Sequence, residues 1–316
     1  MSAYDPKYDA LIDAQTWAFI RETESWYPPD AVDLTIVEQR AVYNRMCKAF
    51  HAGHPAGVVA KDDVIAGQHN IPVRRYTMEE SGAAQVVYLH GGGFVVGGLE
   101  SHDDVCAEIC AGTGFDVTSV DYRLSPEHPF PQDYEDALAA AQHQAAGKPL
   151  VLVGDSAGGN LCAAVAAACA GHANAPVGQV IIYPVLGTAG STPSAAEHAF
   201  APMLTAAGMA FYAKIRSDGR PERVDGPRFS PLRAQAFAGL PPTIAISAEC
   251  DPLADDAALY CQAINAAGGR ALHIREAGLV HGYLRARHRA DRAGRSFARI
   301  LKAVSTLGQR VWPDHL

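Results

Sequence analysis

The sequence predicts an α/β protein with a mostly parallel central sheet flanked by helices, and three observations carry that expectation. From Leu150 onward, short apolar runs alternate with helical stretches, at Leu150–Val153, Val180–Tyr183, Thr243–Ser247 and Ala271–Ile274. Strands that alternate with helices assemble into parallel sheets. At 316 residues and 48% hydrophobic content, the chain can bury one large core without splitting in two. Residues 187–240 interrupt the alternation with Gly, Pro, Ala and scattered large apolar side chains such as Phe200, Met209, Tyr212 and Ile215, which marks an insertion.

The elements follow in order. Tyr8, Leu11, Ile12 and Phe19 recur at helical spacing and predict one helix. It stops at Trp26-Tyr27-Pro28-Pro29, because proline disfavours helical geometry in its predecessor. A second helix carries Ile36, Tyr43, Cys47 and Phe50 on one side. After the break at Gly53–Gly57 come β-type runs at Val64-Ile65, Ile71–Tyr76, Val86–Leu89 and Val117–Val120, so the sheet begins near residue 58. Leu150–Val153 leads into a turn over Gly154–Gly159 and a helix over Asn160–Ala170. The strand Thr243–Ser247 is followed by a helix that ends at Gly268-Gly269, a good C-cap.

Charge and composition exclude several classes. With 26 basic against 34 acidic residues and a formal net charge of -8, the chain lacks the cationic surface that nucleic-acid binding needs. Met1 to Ile20 carries Asp5, Asp9 and Asp13, so it has neither the basic start nor the unbroken apolar run of a secretion signal. The longest apolar stretch, around Leu161–Ala170, falls far below the ~20 residues that span a bilayer. The expectation is a cytoplasmic protein with no stable membrane insertion. Seven cysteines, Cys47, Cys106, Cys110, Cys162, Cys169, Cys250 and Cys261, form an odd set without C-x-x-C, which suits reduced thiols and offers no zinc-ligand spacing.

Chemistry concentrates at three places. Gly154-Asp155-Ser156-Ala157-Gly158 satisfies G-x-S-x-G just after an apolar run and just before a helix, where a nucleophilic serine is lifted above a sheet edge. The N–H of Ala157, at the helix start, then lies beside the negative charge that develops on a substrate oxygen. His90-Gly91-Gly92-Gly93 follows the apolar run Val86–Leu89. Three glycines cost backbone entropy, and aiming several N–H groups at one oxyanion is a reason to tolerate them. Such a turn can also cradle a phosphate, but no Walker lysine or ribose-binding pattern accompanies it. A serine needs a base and an orienting carboxylate, here in the order Ser, Asp, His. Asp251 follows the strand Thr243–Ser247, and His281 follows the next strand. Of thirteen histidines, His273 is expected inside a strand and His288 inside the final helix, which leaves His281. Glu249 stays as the alternative acid. Asp255 and Asp256 are expected in the following helix, facing solvent or serving its first turn.

With these residues in view, the chain resembles the bacterial hormone-sensitive-lipase-like esterases of the α/β-hydrolase fold. His90–Phe94, Asp121–Leu124, Ser125–Pro131, Gly154–Gly159, Asp251–Leu253 and His281–Tyr283 match that pattern in order, with Ser125 and Tyr283 as small departures. The resemblance implies hydrolysis of small-molecule carboxylic esters without metal or cofactor, through Ser156, Asp251 and His281. It implies an oxyanion hole from Gly92, Gly93 and Ala157, with Gly91 positional, and short acyl chains of about two to six carbons. It implies a cap of N-terminal helices (1–55) and insertion (187–240) over a catalytic domain (56–186 and 241–316), and a homodimer among its partners. Asp121–Pro131, which gathers Arg123, Glu127 and His128, is expected to brace the sheet and elbow. Amide, lactone or carbamate hydrolysis by the same machinery stays open as an alternative, as does a non-catalytic ligand receptor; a membrane-acting lipase is disfavoured.

Overall fold

The apolar runs that the sequence spaces so regularly pair into a single eight-stranded sheet. This computed structural model describes residues 4–316 except 29–33, 68, 81, 146, 188–189 and 314; Pro29, expected to help stop the first helix, and part of the 187–240 insertion lie outside the described residues. The strands are β1 (Val59–Ile65), β2 (Ile71–Thr77), β3 (Gln85–Leu89), β4 (Asp116–Val120), β5 (Leu150–Asp155), β6 (Gly178–Ile182), β7 (Thr243–Cys250) and β8 (Ala271–Val280), in spatial order β1-β2-β4-β3-β5-β6-β7-β8. From β4 to β8 all pairings are parallel, and β1 and β2 close one edge antiparallel.

Parallel strands are covered on both faces, so they read as continuous apolar runs rather than alternating ones. Along β5, Val151 and Val153 point into one core, while Leu150 and Leu152 point into the other. The first core is closed by α4 (Asp103–Thr113) and α10 (Asp291–Gly308). The second is closed by α5 (Gln132–Gln144), α6 (Ala157–Cys169) and α9 (Ala254–Ala266). All seven cysteines are buried and unpaired within these layers. Among the described residues, no helix is long and apolar enough to cross a membrane.

Several expected elements differ. The single N-terminal helix is two, α1 (Lys7–Leu11) and α2 (Ala14–Glu24), because the Asp13 side chain accepts the Thr16 N–H at 2.8 Å and starts a new helix there. The turn expected over Gly154–Gly159 shrinks to Ser156 alone, since β5 runs through Asp155 and α6 begins at Ala157. His288 lies in the turn before α10, not inside it.

The next helix, α3 (Ile36–Phe50), opens with a capping box between Thr35 and Glu38 and is tied to the body by charge. Its Arg40 donates to Glu127, to the Val95 carbonyl and to the Ser125 carbonyl. Just beyond the helix, His51 and His54 reach Asp103 Oδ2 at 2.9 and 2.6 Å, while Arg74 and Tyr76 donate to Oδ1 at 2.9 and 2.7 Å. Gly53 N–H donates to His51 Nδ1, so the His51 proton sits on Nε2, facing Asp103. Burial alone would raise the Asp103 carboxyl; these donors outweigh it and hold it well below the usual range.

Removing this carboxylate charge strands two histidines and an arginine. Asp103→Asn is expected to lose about 3 kcal/mol in urea unfolding. Glu100→Gln, which removes only an exposed partner of Arg74, should stay within about 1 kcal/mol of the parent.

Candidate active site

Four loops leave the C-terminal edge of the parallel strands, where ligands of such sheets bind, and each carries one part of the site. Ser156 makes the entire turn from β5 to α6 with φ 53° and ψ -114°, and its N–H donates to the Ile182 carbonyl at 2.8 Å. A non-glycine residue there carries about 1–3 kcal/mol of strain. The turn is tight because α6 presses on β3: a Cβ at Gly158 would stand 1.8 Å from the Leu89 carbonyl oxygen. Small residues at this spacing are a steric demand.

β7 and β8 supply the partners. The His281 imidazole spans Asp251 and Ser156, with Nδ1 2.7 Å from Asp251 Oδ2 and Nε2 2.8 Å from Ser156 Oγ. A carboxylate only accepts, so Nδ1 carries the proton and the serine hydroxyl donates to Nε2. Asp251 is fully buried, and its second oxygen accepts the Leu253 N–H. The aim of His281 comes from a bulge in β8: Ala248 pairs with Glu276, but Cys250 pairs with Val280. Gly278, at φ 66°, sits in that excursion and donates its N–H to Glu249. Glu249 is thereby occupied away from His281, and Asp251 is the carboxylate that meets it.

The other candidates are engaged elsewhere. His273 lies in β8 and bonds Ser247, and His288 bonds Glu108. Asp255 and Asp256 stand in the first turn of α9, one of the two expected placements, with Asp255 half-buried and Asp256 buried. Asp255 accepts the Ser194 N–H and Asp256, fully buried, accepts the Leu186 N–H, so both hold the chain that follows β6. In the Asp121–Pro131 segment, Arg123 pairs with Asp136 of α5 and Glu127 with Arg40 of α3. The segment braces the sheet as expected, through the Asp121 N–H on the Pro72 carbonyl of β2, and in addition braces α3 and α5 and, through Tyr122 and the Ser125 N–H on the Phe94 carbonyl, the loop beside the elbow.

After β3, Gly92 and Gly93 adopt φ 129° and 61°, and a Cβ on Gly93 would stand 2.5 Å from the Tyr212 ring. Among the described residues, none accepts the N–H of Gly92, Gly93 or Ala157. These three expected donors are free for a ligand oxygen. The loop is held by its neighbours: His90 Nδ1 donates to the Gly91 carbonyl, Tyr122 stacks on His90 at 4.3 Å, and the Tyr122 hydroxyl donates to the His90 carbonyl.

Asp155 was not singled out by the sequence, yet it joins the two loops. Its buried carboxylate accepts the Gly91 N–H and the Tyr88 hydroxyl, both at 2.9 Å, with His102 Nε2 at 3.2 Å. Burial would raise it, but His102 and these donors hold it well below the usual range. The position just before the serine was its only sequence signal.

Two cavities meet at Ser156 and share Gly93, Leu204 and Tyr212. One, of about 490 Å³, is lined by Phe94, Val185, Met209, Arg216 and Phe229. The other, of about 460 Å³, is lined by Tyr27, Tyr43, Tyr183, Met203, Arg285 and His281. Arg216 and Arg285 carry no motif that marks them as cavity walls.

The fold and this Ser-His-Asp cluster define an alpha/beta hydrolase, and residues 86–285 match the sequence model of the alpha/beta hydrolase fold family. The chain belongs to that family, in its hormone-sensitive-lipase-like branch, and it is a serine carboxylesterase. It is 36% identical over 272 residues to carboxylic ester hydrolase LipN of Mycobacterium tuberculosis (strain ATCC 25618 / H37Rv), covering 80% of this chain and 72% of the relative. It is 33% identical over 250 residues to the ethyl acetate hydrolase of Pseudomonas putida, covering 75% and 78%. A solved hyperthermophilic esterase from Pyrobaculum calidifontis superposes with a TM-score of 0.87 at 30% identity, over 94% of this chain and 99% of that one.

His90 also sets a pH dependence. Burial, reinforced by His102, pushes its imidazole down from 6.5 to about 4. Between those values the unfolded chain binds the proton and the folded chain does not, so stability is lost as pH falls through the window, by roughly 3 kcal/mol at its lower end. Burial lowers His198 and His273 too, which adds to the same slope. Urea unfolding between pH 7 and 4.5 should show this fall, and His90→Gln should flatten it.

Proposed function

We propose that Ser156 is the nucleophile of this esterase, His281 its general base and Asp251 the carboxylate that orients the base. The supporting observation is the unbroken relay from Asp251 through His281 to the Ser156 hydroxyl. Ser156 attacks the ester carbonyl as its proton passes to His281 Nε2. The N–H groups of Gly92, Gly93 and Ala157 hold the oxyanion. His281 returns the proton to the departing alcohol, and water then hydrolyses the acyl-enzyme by the same route.

The proton path assigns the arms of the ester. The alcohol must leave on the side of His281, so it occupies the cavity that His281 lines, and the acyl group occupies the other. The acyl cavity is mostly apolar, with Phe94, Val185, Met209 and Phe229 in its wall, and Arg216 adds a charge to it. Residues 1–55 and 187–240 form the cap over the catalytic domain of residues 56–186 and 241–316. Tyr27 and Tyr43 from the first part, and Leu204 and Tyr212 from the second, support that division by lining the cavities.

A fluorophosphonate probe should label Ser156, as read by peptide mass spectrometry, and Ser156→Ala should abolish both labelling and turnover. Asp251→Asn should keep the fold and lose about 10⁴-fold in kcat, while Glu249→Gln stays within about threefold of the parent. The reverse pattern would overturn the assignment of the acid.

Acyl length is limited by the roof of cap residues, Leu204, Met209 and Tyr212 among them, that bounds this cavity. Each buried methylene adds about 0.8 kcal/mol, about fourfold in rate, until the apolar space ends. Across p-nitrophenyl esters from acetate to palmitate, kcat/KM should peak at about two to six carbons. Tyr212→Ala, which removes one of the side chains shared by the two cavities, should move the optimum to longer chains. Steady gains out to palmitate in the parent enzyme would refute the closed cavity.

A further inference from the structure

Arg285 brings a positive charge without a counter-ion to the wall of the cavity that His281 lines. It stands in the short helical turn Tyr283–Ala286 that follows His281 and Gly282, and a guanidinium keeps its charge at every working pH. Nη2 donates to the Tyr43 hydroxyl of α3, while Nε is buried without an acceptor. Among the described residues, no carboxylate pairs with this side chain and none accepts from Nη1. Two other arginines of the interior are treated differently: Arg216 is matched by Asp133, and Arg287 by Asp104. An unpaired charge away from bulk water is costly, so the vacancy beside Arg285 favours an anion.

The free nitrogen can be placed. Arg285 is half-buried, and Nη1, unlike Nε, keeps accessible surface. A Cβ built on Gly282 would stand 3.3 Å from Nη1 and 3.9 Å from Met203 Cε. Gly282, Met203 and Arg285 all belong to the wall that also holds Ser156 and His281. Nη1 therefore borders this cavity, against the residue that directly follows the base.

The acids in the same wall decide which anion fits. Asp155 is already held by Gly91, Tyr88 and His102, and the exposed Glu24 accepts from Tyr4. With Glu24 on the wall and one guanidinium nitrogen free, a single negative charge is accommodated better than a phosphate dianion. A carboxylate also takes a guanidinium N–H in a charge-assisted bond about twice as strong as a neutral oxygen makes.

We propose that Arg285 is a specificity-determining residue of the alcohol arm: Nη1 holds a carboxylate carried by the departing alcohol, so the preferred substrates are short-acyl esters of hydroxycarboxylic acids. This rests on the assignment of the His281-lined cavity to the alcohol arm.

The test follows acetate release from the O-acetyl derivatives of 3-hydroxypropanoate, 4-hydroxybutanoate, 5-hydroxypentanoate and 6-hydroxyhexanoate, and from the matching hydroxy amides. Each kcat/KM is divided by the rate of hydroxide-catalysed hydrolysis of the same ester. At the spacing that reaches Nη1 the carboxylate is expected to exceed its amide by about tenfold. Arg285→Met should bring that ratio to about one and Arg285→Lys should keep an excess, whatever their absolute rates. Should the variants fail to fold, competitive inhibition of the parent by the free hydroxy acid and its amide decides: the acid should bind about tenfold tighter, and equal binding overturns the proposal. Parent ratios below about threefold at every spacing overturn it as well, as does an excess that survives Arg285→Met, and steady acetate release in those cases leaves the esterase reading intact. The monoethyl esters of succinate, glutarate and adipate place the carboxylate in the acyl arm instead. An excess confined to that series, and lost in Arg285→Met, overturns the assignment of the arms and the proposal with it.

Discussion

Ser156 turns the chain from strand to helix in one residue, and nearly every feature of the site is arranged around making that turn possible. The backbone there is strained, and such strain persists only where the surroundings over-determine it. β5 is fully buried between β3 and β6, and the Ser156 N–H is taken up by the carbonyl of Ile182 in β6. Gly158 lets α6 lie against Leu89 at the end of β3. The same close approach brings the loop after β3 beside the serine, so the elbow and the donor loop are two consequences of one packing constraint.

Asp155 converts that proximity into fixed geometry. It is a buried charge, expensive unless its acceptor capacity is used, and it gathers a backbone N–H, a tyrosine hydroxyl and a histidine. Since Gly91 is one of those donors, the neighbouring Gly92 and Gly93 are placed relative to Ser156 by a charge-assisted bond rather than by loop stiffness. On the other side, the Gly278 bulge does the corresponding work for His281, and Glu249 is the acceptor that holds the bulge. Two carboxylates that do not touch the relay between Asp251 and Ser156 thus set its two flanks.

The cavities are defined by what lies outside the sheet. Helices before β1 are clasped to the body through Arg40 and through the cluster on Asp103. The chain between β6 and β7 is pinned by Asp255 and Asp256 through its backbone and by the buried Arg216–Asp133 pair. These links are polar and directional, so they locate the walls more specifically than apolar contact alone does. They also leave Arg216, paired with Asp133, at the boundary of a mostly apolar cavity.

The sequence by itself determined the parallel sheet, the order of its elements, and the serine, aspartate and histidine that come together. Each of these is written locally: apolar runs of strand length, glycines at fixed offsets from a serine, and polar residues at the ends of runs. It placed Asp251 after β7 and His281 after β8, but it could not see the Gly278 bulge that aims the histidine, because a lone glycine in a strand has several meanings. It ran α1 and α2 together, since helical periodicity outlasts a single capping aspartate, and it spread the serine turn over six residues because glycines read as loop until packing forces them into strand and helix. The roles of Asp155, Asp256, Arg216 and Arg285 were decided only by the tertiary structure. A buried charge is defined by the partners that surround it, and decisive ones arrive from 64, 83 and 242 residues away, a separation that no local pattern encodes.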